Sequence, residues 1–94
     1  MGKLLILKKY IFLIYGSDIY EDRRHIHVTY AHKGFKKSCK IWLEPEIELD
    51  EKKTGYFSEK ELNEILKLTK AHKQTLLDQL LLFYQQKEVK AIRL

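Results

Sequence analysis

His25 and His27 stand two residues apart in "RRHIHVTY", residues 23–30, directly after Arg23 and Arg24. On a strand, alternation puts both imidazoles on one face, roughly 7 Å apart. Imidazole titrates near neutrality, so such a pair can serve as general acid and general base. Flanking a phosphodiester, with Arg24 or Lys40 holding the phosphate, the pair would make a metal-independent ribonuclease. The weaker form is nucleic-acid binding without cleavage, with Trp42 on the same face as a stacking ring. His-x-His can also give two ligands to a metal, but zinc wants three or four. A third would have to come from His32, Cys39, His72 or a carboxylate. His32 is out of phase with the pair and Cys39 faces the other way. Nothing nearby completes the set, so no metal and no cofactor is expected. The plainest reading is two half-exposed strand residues packing on Trp42. The residues alone leave these readings open.

Charge gives the pair its setting. The net charge is +5, unevenly spread. Residues 23–40 carry Arg23, Arg24, Lys33, Lys36, Lys37 and Lys40 with no acid. Residues 44–51 carry Glu44, Glu46, Glu48, Asp50 and Glu51 with no base. The basic block, with Trp42, is the candidate nucleic-acid surface. Equally, a solvated hairpin followed by a charged edge strand explains both blocks.

The strands that must position these residues are short. "LLIL" and "IFLIY", residues 4–7 and 11–15, read as a hairpin. Lys8 and Lys9 are poor residues for a tight turn, so a longer turn including Tyr10 is expected. "GSDIYEDRR" is a polar loop. Residues 25–30 then alternate, with Ile26, Val28 and Tyr30 inward and His25, His27 and Thr29 outward, a half-buried strand with its polar face to water. "AHKGFKK" turns the chain. In "CKIWL" Cys39, Ile41 and Leu43 share one face while Lys40 and Trp42 share the histidine face. Pro45 ends that strand or lies at an edge. "EIEL" reads as an edge strand guarded by charge.

At "KKTGYFSEKEL" the period changes. Ser58 and Glu61 form a capping box, and Phe57 and Leu62 are spaced as a hydrophobic staple. Leu62, Ile65, Thr69, Leu76, Leu80 and Phe83 follow helical spacing, with His72 inside the stripe, expected as a buried, hydrogen-bonded histidine rather than a ligand. A straight helix over 58–87 would be about 45 Å long. A chain of this length has a radius of gyration of about 12 Å. The helix must therefore break near Ala71, His72 and Lys73 or overhang the sheet. The tail "EVKAIRL" offers a last extended segment. The expected fold is a single α+β domain over residues 1–94: an antiparallel meander of four to five strands within 4–50, then one long C-terminal helix on one face.

Taken in order, these motifs resemble the bacterial domain of unknown function 4160 family. The resemblance lies in "YIFLIYGS", "RRHIHV", "KIWLEP", "GYFSEKEL" and "QTLLDQLLLFY", and it covers Tyr10 to Tyr84. Arg23 and Arg24 stand where the family carries prolines, and Leu80 where it carries a late tryptophan. The resemblance implies a member of a two-gene cassette like a toxin–antitoxin module, beside another small protein.

The apolar N-terminal stretch is split by Lys8 and Lys9 into runs far below the roughly 20 residues of a spanning helix. Cys39 is the sole cysteine, which suits a reducing compartment. A cytoplasmic protein with no membrane role is expected. Leu77, Leu81 and Tyr84 lie on a line beside the buried stripe and form the candidate partner interface, for a homodimer or a complex with the cassette's small protein. The expected function is an interaction module binding that partner, RNA, or both through the basic strand face. The alternatives are the ribonuclease of His25 and His27, and a structural adaptor with no nucleic-acid role.

Overall fold

The computed structural model describes residues 2–31 and 38–94. The elements are β1 (Gly2–Leu7), β2 (Tyr10–Ile14), a 3-10 helix (Gly16–Tyr20), β3 (His25–Tyr30), β4 (Cys39–Trp42), β5 (Glu48–Leu49), α1 (Glu59–Ala71), α2 (Lys73–Gln86) and β6 (Ile92–Arg93). They form a six-stranded sheet in the order β5-β4-β3-β2-β1-β6. Strands β1 to β5 make the antiparallel meander. β6 departs from it: the tail returns beside β1 and pairs in parallel, Leu5 with Ile92 and Ile6 with Arg93. The fold is α+β as expected, with a mixed sheet in place of a purely antiparallel one.

One face of the sheet takes both helices. Tyr10, Phe12, Ile14, Ile26, Val28, Cys39 and Ile41 meet Phe57, Ile65, Leu76, Leu80 and Phe83 in one core. The predicted helical stripe is therefore the packed one. Fully burying a leucine such as Leu80 stabilises by about 2 kcal/mol. The single long helix is corrected to two. α1 ends where the His72 amide donates to the Leu68 carbonyl, and α2 starts from the His72 carbonyl. His72 sits at this break with φ −115°, half-exposed rather than buried. The longest extent of the molecule is 34 Å, which a straight 45 Å helix could not fit. None of the helices among the described residues is long and apolar enough to cross a membrane.

The first hairpin turn is also shorter than expected. Leu7 pairs with Tyr10, leaving Lys8 and Lys9 alone in the turn. Lys8 takes φ 56°, a left-handed conformation that costs a side-chain-bearing residue about 1 kcal/mol. Tertiary contacts offset this. Lys9 Nζ lies 2.9 Å from Glu61 Oε2, and the Ala31 amide donates to the Lys9 carbonyl.

Glu61 is thus a junction. It closes the capping box with Ser58, accepts the Tyr30 hydroxyl at 2.7 Å and pairs with Lys9. The Tyr30 hydroxyl, then Lys9 and the Ser58 amide, hold its carboxyl down to about 2. A depressed folded pKa gives stability that is present above the ordinary 4.5 and lost as pH falls toward 2. Glu61→Ala is expected to cost about 1–2 kcal/mol in urea denaturation at neutral pH. The Glu61→Gln variant should lose less stability than the native chain as pH falls from 4.5 toward 2.

A buried glutamine ties the tail down. Gln79 Nε2 donates to the Leu4 carbonyl at 2.9 Å and to the Lys90 carbonyl at 2.7 Å. It joins α2 to β1 and to the segment leading into β6. Gln79→Ala leaves both carbonyls without this donor, and should cost about 1–3 kcal/mol. Hydrogen exchange at the Leu94 amide, which donates to Ile6 in β1, should speed up in that variant.

Candidate functional site

The face of the sheet away from the helices holds the histidines. Ile26 and Val28 belong to the helix-side core, so alternation sends His25 and His27 to the opposite face. The β3–β4 register sets His25 opposite Trp42 and His27 opposite Lys40. All four predicted residues therefore share one face.

That face is closed rather than open to water, which corrects the expected polar-out strand. His25 is 0% and His27 7% exposed, and Thr29 is buried. The chain leaving β2 turns back through the 3-10 helix and brings Asp18 over the pair. The turn is held locally: the Asp18 amide donates to the Tyr15 carbonyl, and the Tyr15 amide donates to Asp18 Oδ2 at 2.9 Å. Asp18 Oδ2 also accepts His27 Nε2 at 2.9 Å, while Oδ1 stands 3.2 Å from His25 Nε2. His25 Nδ1 donates to the Arg23 carbonyl at 3.1 Å. Tyr15 packs on the His27 ring with centroids 4.7 Å apart.

Electrostatics follow from this closure. Burial pushes the Asp18 carboxyl up, but the Tyr15 amide, His27 and His25 outweigh it and leave the group below its ordinary value. Burial holds His27 below its ordinary value, helped by His25 and Lys40 and opposed by Asp18. Asp18 is therefore a carboxylate at neutral pH, facing two ring nitrogens.

The predicted cations are engaged nearby. Lys40 is buried, and its Nζ lies 3.0 Å from Glu21 Oε2 and 4.2 Å from the Trp42 ring centre. The Arg23 guanidinium lies 4.3 Å from the same ring and bonds to the Glu44 carbonyl and the Glu48 carboxylate. Arg24 Nε is 3.8 Å from Glu44 Oε1. Two cations of the basic block, Arg23 and Arg24, thus pair with Glu48 and Glu44 of the acidic block, while Lys40 pairs with Glu21 outside it. Trp42 already has two cations against its ring and His25 edge-on at 5.4 Å. Lys33, Lys36, Lys37 and His32 lie outside the described residues.

Of the partner candidates, Leu77 and Tyr84 are half-buried against the core and Leu81 is exposed. Cys39 lies in the core, where burial pushes its thiol up to about 12, so it takes no part in this site. Three contributors were not legible as such: Asp18, Glu21 and Tyr15. The available signal was an aspartate three residues after Tyr15 in a Gly-Ser-Asp turn, a spacing that lets a carboxylate bond back to the preceding amide.

A family described as a domain of unknown function (DUF4160) matches residues 10–79, a span that holds the whole of this site. No curated protein and no solved structure matches the chain.

Proposed function

The chain belongs to the domain of unknown function 4160 family, and from that premise we propose that it is a small cytoplasmic interaction module. It serves as one half of a toxin–antitoxin-like pair and binds a protein partner through the exposed side of α2. One observation carries this reading. The sheet takes Leu76 and Leu80, while the adjacent Leu81 and Leu82 remain 48% and 40% exposed. Two neighbouring leucines at the surface of a short helix supply the apolar centre of a protein contact.

A protein partner is favoured over RNA by the ion pairs. Arg23, Arg24 and Lys40 direct their charges at Glu48, Glu44 and Glu21, which leaves less for phosphate. The ribonuclease alternative asks His25 and His27 to reach a phosphodiester, and both are buried with Asp18 set against them. The test is growth of a bacterial host carrying this chain and its neighbouring gene, singly and together. The growth effect of one should be relieved by the other, and Leu81→Glu with Leu82→Glu should abolish that relief. Growth that is indifferent to both genes and to the substitutions contradicts the proposal.

A further inference from the structure

The cluster under the 3-10 helix has a feature that the partner surface leaves unused. A carbonyl only accepts, so His25 Nδ1, 3.1 Å from the Arg23 carbonyl, carries the proton of the neutral ring. His25 Nε2 is then a bare lone pair. It is fully buried, has no hydrogen-bond partner among the described residues, and lies 3.2 Å from Asp18 Oδ1, itself an acceptor. Two lone pairs facing each other in a buried site repel. A cation between them converts the contact into attraction.

The third donor is His27 Nε2, which gives up its bond to Asp18 and shifts its ring proton to Nδ1 when an ion binds. His27 Nε2 lies 2.9 Å from the other oxygen of the same carboxylate. One atom each from Asp18, His25 and His27 falls within 4.8 Å of the other two. Ligands bound at about 2.0–2.1 Å around a tetrahedral ion stand about 3.3 Å apart. The two nitrogen–oxygen separations, 3.2 Å to Oδ1 for His25 and 2.9 Å to Oδ2 for His27, lie near that spacing, and an ion held by one carboxylate oxygen would draw together three donors that stand within 4.8 Å of one another. The His25 Nδ1 bond to a backbone carbonyl is the outer-shell bond that orients a metal-binding imidazole. Two imidazoles and one carboxylate suit a borderline transition ion and not magnesium or calcium.

We infer that Asp18, His25 and His27 form a three-ligand site for a divalent transition metal of the zinc class, with a coordination position left for water or an exogenous ligand. The site needs no residue of the proposed partner surface, so either can fail without the other. The side chains of Asp18 and His27 are 11% and 9% exposed, which gives the open position a route to solvent. The short loop that carries Asp18 is then the part of the fold that a bound ion would fix.

The test uses the full chain, stripped with chelator and dialysed. Zinc titrated by calorimetry should bind at one equivalent per chain with micromolar or tighter affinity. Cobalt should give visible ligand-field absorption that zinc abolishes. Asp18→Asn and His27→Gln should each weaken zinc by about tenfold or more, while His72→Gln leaves it unchanged. Because the ligand variants remove buried contacts, a second readout uses the unmodified protein. Nitrogen-15 spectra of the imidazoles should show zinc moving Nε2 of His25 and His27 and not the ring of His72. Failure to take up zinc or cobalt at micromolar concentrations overturns the inference. Uptake with the His25 and His27 nitrogens unmoved overturns it equally.

Discussion

Asp18→Ala is expected to lower the stability of the chain by about 3 kcal/mol in urea denaturation at neutral pH. The carboxylate accepts the Tyr15 amide and His27 Nε2 and stands against His25 Nε2. Removing it leaves the His27 ring nitrogen and the Tyr15 amide without their acceptor. Each hydrogen bond to a charged acceptor is worth about 1.5 kcal/mol or more when its loss strands a buried donor, so losing these two costs about 3 kcal/mol. Against a total stability of about 5–15 kcal/mol for a typical domain, this is a large fraction. Asp18→Asn keeps the shape and one acceptor, and should cost about 1–2 kcal/mol. Equal and negligible losses for both variants would mean that the 3-10 helix does not close on the histidines.

The second large effect falls on binding. Leu81→Glu with Leu82→Glu should weaken partner affinity by about 100-fold or more. Each leucine still exposes nearly half of its surface, so completing its burial is worth about 1 kcal/mol. Placing a carboxylate in that apolar contact adds an unpaired charge, at a cost of several kcal/mol for the two. The fold should respond far less. More than half of each leucine is already covered within the chain, so by the same measure the double substitution should cost about 1–2 kcal/mol and leave the chain folded. Leu77→Glu behaves differently, because Leu77 is packed against the core. It should destabilise the fold itself. Titration calorimetry with the neighbour's product, beside thermal melting of each variant, separates the two outcomes.

Much of the fold was legible because it rests on local periodicity. Strict alternation over His25–Tyr30 marked β3, and the same rule put Lys40 and Trp42 on the histidine face. Ser58 and Glu61 announced α1, since a capping box is a local device. Length left two outcomes, a break near His72 or a helix overhanging the sheet, and the chain takes the break. The features that escaped depend on contacts distant in sequence. β6 pairs with β1 across almost the whole chain, held by Gln79, and no local pattern encodes a parallel partner. The tight Lys8-Lys9 turn is tolerated because Glu61 takes Lys9.

The candidate site was half legible for the same reason. Alternation identified His25, His27, Lys40 and Trp42 as neighbours. Asp18 comes from an irregular segment whose path no period reveals. Without it the strand read as a solvated face, and the acid that joins the two imidazoles had no address. Leu77 and Tyr84 were assigned to water because one sheet seemed to have room for a single helical stripe. The break at His72 lets α2 pack more of its surface against β1 and the returning tail, with Val89 joining the core edge. The exposed pair is consequently Leu81 and Leu82.

Sedimentation velocity reads the proposed association with another protein without any assumption about its role. The purified chain is run alone at high concentration and then mixed with the product of its neighbouring gene. A species heavier than one chain is expected in at least one of the two runs, and it should be lost when Leu81 and Leu82 are both changed to glutamate. A single-chain mass in both runs would contradict the association.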